Sequence, residues 1–101
     1  MIITTKNVFK EDISTLDGGT ELIGSPCVIY SITVSHESDA DPIISFSNSA
    51  TAYDSDERVE KICLTAEEHT KQMVYPNGLF CDSGLCVTSN VSSVDISVTY
   101  E

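Results

Sequence analysis

The end of the chain carries the clearest structural signal in the sequence, a strict alternation of apolar and polar residues. The apolar positions are Val94, Ile96, Val98 and Tyr100, and Ser, Asp, Ser and Thr precede them in turn. Period two places successive side chains on opposite faces of a β-strand, and each apolar residue here is β-branched or aromatic. The segment therefore predicts a strand with one face on a core and the other in water.

A second alternating segment covers residues 28–35. Val28, Tyr30, Ile32 and Val34 alternate there with Ile29, Ser31, Thr33 and Ser35. This pattern predicts a strand in which the first set is buried and the second set is mostly exposed to solvent.

Shorter apolar runs occupy the rest of the chain, and turn-forming residues separate them. The runs are 43–46, 59–64, 72–75, 79–81 and 85–88, and the turn segments are 17–19, 24–26, 39–42, 48–49, 54–56, 76–78 and 82–84. Strands that recur about every 8 to 12 residues are typical of an antiparallel sandwich or barrel. We predict a single all-β domain over residues 1–101, a β-sandwich of jelly-roll or immunoglobulin-like kind with about seven or eight strands.

Residues 65–72 are the one segment with helical character. Thr65 and Glu68 have the spacing of a capping box, in which each side chain binds the other residue's backbone. An isolated helix of this length without an apolar face is marginal in water, so we predict a polar loop between two strands, with one helical turn as the alternative.

Charge and hydropathy exclude two classes of partner. Sixteen acidic residues against five basic ones give a formal net charge of −11, which opposes nucleic-acid binding. No apolar run approaches the roughly 18 residues that a membrane span needs, and the chain does not begin with a signal-peptide pattern. We therefore expect synthesis in the cytoplasm without export, and no nucleic-acid or membrane partner.

The four cysteines, Cys27, Cys63, Cys81 and Cys86, are expected to be reduced thiols in such a compartment. The alternative is a disulfide between Cys81 and Cys86, because the residues between them form a turn that brings two neighbouring strands together. Successive cysteines are 36, 18 and 5 positions apart, which does not match the paired ligands of a structural zinc site.

Two acidic clusters are the remaining metal candidates. Asp39 and Asp41 lie in one turn region, and Asp54 and Asp56 lie in another, so that each offers the hard oxygen ligands that Ca²⁺ prefers. Neither cluster has the glycine and the distal glutamate of an EF-hand, and solvated turns are our interpretation. The sequence also lacks a nucleophile elbow and a phosphate-binding glycine loop, so we predict no cofactor and no enzymatic activity.

The aromatic residues divide into two groups. Tyr30, Phe46, Tyr75 and Tyr100 have neighbours that predict burial or half-burial. Phe9, Tyr53 and Phe80 are less constrained, and they are candidates for a protein interface, where aromatic residues are enriched.

The last third of the chain resembles small virion structural proteins of tailed bacteriophages. The likeness rests on residues 75–80 (YPNGLF), 84–88 (GLCVT) and the closing strand 94–101, together with the strand at 27–34. It implies a β-sandwich or jelly-roll protein that decorates a capsid, or belongs to a tail or fibre, and that acts by binding. It supplies no site residues.

We accordingly predict a capsid decoration or cement protein that binds capsid or other virion proteins and is located in the virion. A small core limits the stability of a lone monomer, so we expect a homo-oligomer, with a trimer favoured. Two alternatives stay open: a carbohydrate- or receptor-binding module of a tail fibre, possibly assisted by calcium, and an inhibitor whose acidic surface mimics nucleic acid.

Overall fold

Eight β-strands form two four-stranded antiparallel sheets, as the all-β prediction requires. The computed structural model describes residues 5–13 and 19–101, so residues 1–4 and part of the predicted turn at 17–19 lie outside the described residues. The strands are β1 (Lys6–Lys10), β2 (Thr20–Ile23), β3 (Cys27–His36), β4 (Ile43–Ser47), β5 (Arg58–Cys63), β6 (Thr70–Cys81), β7 (Leu85–Ser89) and β8 (Val94–Tyr100), with a 3-10 helix at Ser55–Glu57. Within the described ranges, no helix is long and apolar enough to cross a membrane.

The strand order is that of a jelly roll. Sheet A has the order β1-β8-β3-β6, and sheet B has the order β2-β7-β4-β5. Strand β1 pairs with β8, β2 with β7, β3 with β6 and β4 with β5, all antiparallel, which is the pairing of one long hairpin rolled into two sheets. Of the two sandwich types that the sequence predicted, the structure has the jelly-roll type.

The core lies between the two sheets. Its largest fully buried side chains include Phe46, Ile29, Ile32, Ile44, Ile62, Leu85 and Ile96. The predicted alternation of β8 is confirmed, because Val94, Ile96 and Val98 are buried and the residues between them face outward. At one edge of the sandwich, the Tyr75 hydroxyl donates a 2.5 Å hydrogen bond to the Glu60 carboxylate and so joins β6 to β5 of the other sheet.

In the first half of β3, the prediction of which residues face the core is wrong. The register of β3 against both neighbours shifts between Ile29 and Ser31, which marks a β-bulge. Because one extra residue exchanges the two faces of a strand, Val28 and Tyr30 lie on the outer face, whereas Ile29 is buried. The second half of the strand follows the prediction, with Ile32 buried.

Four other segments decide the remaining predictions of secondary structure. The runs 72–75 and 79–81 belong to one strand, β6, which continues through the predicted turn at 76–78. Strands β1 and β2 were not predicted, because neither shows a clear alternation. The segment 65–69 is a loop, as predicted, and Thr65 and Glu68 bind each other's backbone amides at 3.3 Å without forming a helix.

Candidate interaction surface

Among the described residues, the central part of the outer face of sheet A carries no charged side chain across its four strands. Two rows of neighbouring residues cross the sheet, Phe9–Ser97–Thr33–Gln72 and Asn7–Thr99–Ser31–Val74. Val28 and Phe80 form a further pair, and Tyr30 lies between that pair and the rows. We call these eleven residues the neutral face. Since 21% of the chain is charged, a surface of this size without a charge is unexpected for a solvent-exposed sheet.

Three apolar side chains of the neutral face are strongly exposed. Phe9 is 55% exposed, Val74 is 61% exposed and Phe80 is 66% exposed. Phe9 lies on edge strand β1 and Phe80 lies on the opposite edge strand, β6, so the apolar groups span the width of sheet A. The centres of protein interfaces are depleted of charge and enriched in aromatic residues, which matches this composition.

Acidic residues lie at both ends of the neutral face. Asp95 begins the outward row of β8, and Glu101 follows its last residue. The Tyr30 hydroxyl donates a 2.8 Å hydrogen bond to the Glu101 carboxylate, and this bond raises the pKa of Tyr30. An uncharged centre with charged ends is the usual arrangement of a binding patch and its rim.

The basic residues occupy a different part of the molecule. All five, Lys6, Lys10, Arg58, Lys61 and Lys71, lie on the edge strands β1, β5 and β6. Lysines on edge strands oppose unwanted pairing with another sheet. The faces formed by the central strands therefore have no basic side chain.

The outer face of sheet B is partly covered by the loop after β4. Ser47 and Cys86 are fully buried, although they alternate with core residues and so point away from the core. The Cys86 thiol donates to the Ser49 carbonyl at 3.3 Å, and the Ser47 hydroxyl accepts from the Asp54 amide at 3.2 Å. These bonds hold the loop against sheet B and leave sheet A as the open face.

The three predicted interface residues are therefore not on one surface. Phe9 and Phe80 both lie on the neutral face, whereas Tyr53 is half-buried in the loop after β4. Val28 and Val74 were not predicted as interface residues, because the alternation in β3 placed Val28 in the core and the two runs of β6 did not read as one strand. The available signal was the lack of charge at the outward positions of β3 and β8, where only hydroxyl residues occur between the two ends.

A polar cleft of about 440 Å³ lies at the end of the sandwich where β3 ends and β6 begins. Its lining includes Asp12, Glu37, His69 and Asp95. The buried His36 beside it has both ring nitrogens engaged: Nδ1 accepts from the Ser38 amide at 3.2 Å, and Nε2 donates to the Thr65 and Glu68 carbonyls. This histidine holds the 65–69 loop against β3.

The predicted calcium candidates are not brought together. Asp41 precedes β4 and accepts from the Ala66 amide at 2.9 Å, whereas Asp54 follows β4 and accepts from the Asp56 amide at 3.0 Å. Asp39 is exposed in the first of these turns. In residues 5–13 and 19–101, no group of three or more His, Cys, Asp or Glu side chains could hold a metal ion.

All four cysteines are free thiols in this structure. Cys81 lies directly opposite Cys27 across the β3–β6 pair, whereas Cys86 lies in sheet B and binds Ser49. The turn at 82–84 passes the chain from one sheet to the other, so the nearness of Cys81 and Cys86 in sequence does not make them cross-strand neighbours.

Comparisons with known proteins find likeness in structure at low sequence identity. No protein-family model matches the chain, and a search of curated proteins finds no match. Among solved structures, the chain is similar to a chain of the virus-like particle of the giant freshwater prawn Macrobrachium rosenbergii extra small virus, solved by cryo-electron microscopy. The identity is 15%, the alignment covers 99% of this chain and 80% of that chain, and the TM-score is 0.40.

Proposed function

We propose that this chain is a non-enzymatic structural protein of a virus particle, a decoration or cement protein that binds neighbouring shell proteins through the neutral face. The observation that carries the proposal is that face itself: eleven uncharged outward residues, with Phe9, Val74 and Phe80 more than half exposed, on a chain of net charge −11. A partner can cover this surface without burying an unpaired charge, which would weaken binding by several kcal/mol.

The fold is compatible with this role. Eight-stranded jelly rolls are used by viral capsid proteins and also by lectins and cupins, so the topology permits a shell protein without selecting it. The resemblance of residues 75–101 to small bacteriophage virion proteins favours a virion structural protein over a lectin or a cupin.

The energy that one face offers is modest. Burying a fully exposed Phe or Val contributes about 1.5–3 kcal/mol, so three partly exposed side chains supply about 3–6 kcal/mol. Association costs at least about 4 kcal/mol in lost rigid-body freedom. Binding by one copy is therefore weak, and an oligomer that presents several neutral faces to a shell gains affinity because its later contacts are intramolecular. This reasoning supports the homo-oligomer, with a trimer as the simplest ring.

Two measurements test the proposal. Mass spectrometry of purified particles should find the chain in the virion. In a binding assay on shells prepared without the chain, Val74→Ser combined with Phe80→Ser should weaken binding about 10-fold or more. The matched control is Ile43→Ser, which replaces a side chain that is 40% exposed on sheet B and should bind like the wild type. If the folded Val74→Ser/Phe80→Ser variant binds shells as well as the folded Ile43→Ser variant, the neutral face is not the binding surface. If purified particles do not contain the chain, the virion role is wrong.

A second candidate function is carbohydrate binding, and the polar cleft favours it. The cleft has the volume of a small-ligand site, and its carboxylates and hydroxyls are groups that can bind sugar hydroxyls. Glu37→Gln should then weaken binding to an oligosaccharide found on a glycan array, whereas the Val74→Ser/Phe80→Ser variant should not. If Glu37→Gln leaves oligosaccharide binding unchanged while Val74→Ser/Phe80→Ser weakens binding to shells, the result favours the shell protein.

A further inference from the structure

Cys27 and Cys81 lie at one end of the β3–β6 pair, which joins the two longest strands of the described residues. Cys27 is the first residue of β3, Cys81 is the last residue of β6, and the two lie directly opposite each other in the antiparallel register. Both are buried, with 3% and 0% of their surfaces exposed. The pair closes the segment that contains β3, β4, β5 and β6, which is the inner half of the rolled hairpin.

The backbone separation at this pair is within the range that a disulfide can span. Val28 exchanges hydrogen bonds of 3.0 and 2.9 Å with Glu101 on its β8 side. Because backbone groups alternate in direction along a strand, those of Cys27 are directed toward β6, and Cys27 and Cys81 form a hydrogen-bonded pair. Such pairs have Cα atoms about 5.5 Å apart, within the range of about 4.4–6.8 Å that disulfides join. Their Cβ atoms are about 5 Å apart, more than the roughly 4 Å of a disulfide, so the bond requires a small shift of the strand ends.

The two thiols are buried opposite each other and are poorly reactive in the folded state. Burial, followed by the neighbouring Cys27 thiol, raises the pKa of Cys81 to about 12, and burial also raises the pKa of Cys27. Since the thiolate is the nucleophile in disulfide exchange, little of the reactive form is present near neutral pH. Reaction with an oxidant therefore requires the end of the β3–β6 pair to open.

We infer that Cys27 and Cys81 are an oxidative modification site: a low-molecular-weight disulfide such as oxidised glutathione converts the pair into an intramolecular disulfide. The Cys27 thiolate attacks one sulfur of the oxidant and releases one glutathione thiolate. Cys81 then attacks the Cys27 sulfur of the mixed disulfide and releases the second glutathione. The protein loses two electrons and two protons, and the oxidant takes up both as two free thiols.

The bond would fix one edge of the neutral face. Val28 follows Cys27 and Phe80 precedes Cys81, and these two neighbours form the outward apolar pair of β3 and β6. A covalent link beneath them holds edge strand β6 on the sheet. The chain would be reducible and looser in a reducing cytosol, and locked after transfer to an oxidising environment. This inference does not depend on which partner the neutral face binds.

The experiment uses the full chain with Cys63→Ser and Cys86→Ser, so that only the proposed pair remains. After incubation with oxidised glutathione, thiol titration in denaturant should find no free thiol, and the intact mass should be two hydrogen atoms below that of the reduced chain. The melting temperature should exceed that of the reduced form by about 10 °C or more, because the bond closes a loop of about 55 residues in the unfolded chain.

The matched control adds Cys27→Val to the same background. It should form no intramolecular bond and show no oxidant-dependent rise in melting temperature. A peptide map of the oxidised wild-type chain provides a second measurement that does not depend on the folding of any variant. A map that joins Cys27 to Cys81 supports the inference, and a map that joins Cys81 to Cys86, or that leaves both thiols of the pair free, overturns it.

Discussion

A single glycine determines how β6 passes over its neighbour on the neutral face. Gly78 has a φ of +80°, a conformation that residues with a side chain rarely adopt. A Cβ atom at this position would lie 2.5 Å from the Val28 Cγ1 atom, well inside van der Waals contact. The glycine therefore allows the irregular stretch after Pro76 to lie flat on Val28 while the rest of β6 keeps its pairing with β3.

Gly78→Ala should lower the free energy of unfolding by about 1–3 kcal/mol, because the new methyl group adds backbone strain and a clash at the same position. The measurement is urea unfolding at equilibrium. Gly24→Ala is the matched control, since the φ of Gly24 is not in the left-handed region. The atoms nearest to its added Cβ would belong to the flexible end of the Glu21 side chain, and the Ala50 carbonyl would lie at ordinary contact distance. If Gly78→Ala lowers the free energy of unfolding no more than Gly24→Ala does, Gly78 does not have this role in β6.

At the scale of the strand, the edges of both sheets carry the basic residues. Lys6 and Lys10 are exposed on β1, and they lie on the same side of the strand as the half-buried Val8. Lys71 is exposed on β6 and pairs with the buried Val34. A charged group at a core-side position of an edge strand must stay hydrated, so another strand that paired there would have to bury it. These lysines therefore keep the two open edges of sheet A from adding strands of other copies.

Replacing Lys10 and Lys71 with Thr should produce aggregation through the edges of sheet A. Threonine favours strands and has no charge, so the edge strands become competent for pairing. Light scattering during incubation near the melting temperature should rise earlier than in the wild type. The Lys10→Arg/Lys71→Arg variant retains both charges and should behave like the wild type. Identical scattering from the Thr and Arg variants would show that edge charge does not limit pairing.

How much of each strand could be predicted depends on whether its register is regular. Strand β8 was correctly predicted because it lies between two partners and keeps a strict alternation. In β3, the same signal gave the wrong face for Tyr30, since one extra residue at the bulge exchanges the two faces and leaves no mark in the hydropathy pattern. In β6, Pro76 and Gly78 are ordinary turn residues, yet here they lie within an edge strand, where a missing amide is tolerated.

At the scale of the molecule, the arrangement of strands depends on contacts that a local pattern does not contain. The pairs β1–β8, β2–β7 and β3–β6 join segments from opposite parts of the chain, so strand spacing could predict a sandwich but not which strand order it has. The neutral face also depends on pairing between strands that are distant in the sequence. Phe9 and Phe80 belong to one surface only because β1 and β6 are the two edges of one sheet. Each of the two residues could be predicted from the sequence as an interface candidate, but the surface that they share could not.

The distribution of charge predicts how self-association responds to salt. Two copies of net charge −11 repel each other over a distance set by the Debye length, which falls from about 10 Å at 0.1 M salt to about 3 Å at 1 M salt. The neutral face contributes apolar attraction that salt does not screen, so sedimentation velocity should show more oligomer as sodium chloride rises over this range. The Val74→Ser/Phe80→Ser variant should remain monomeric throughout, because screening alone supplies no attraction. Association that weakens as salt is added would mean that ion pairs join the copies, and the five edge cations, rather than the neutral face, would then be the groups to mutate next.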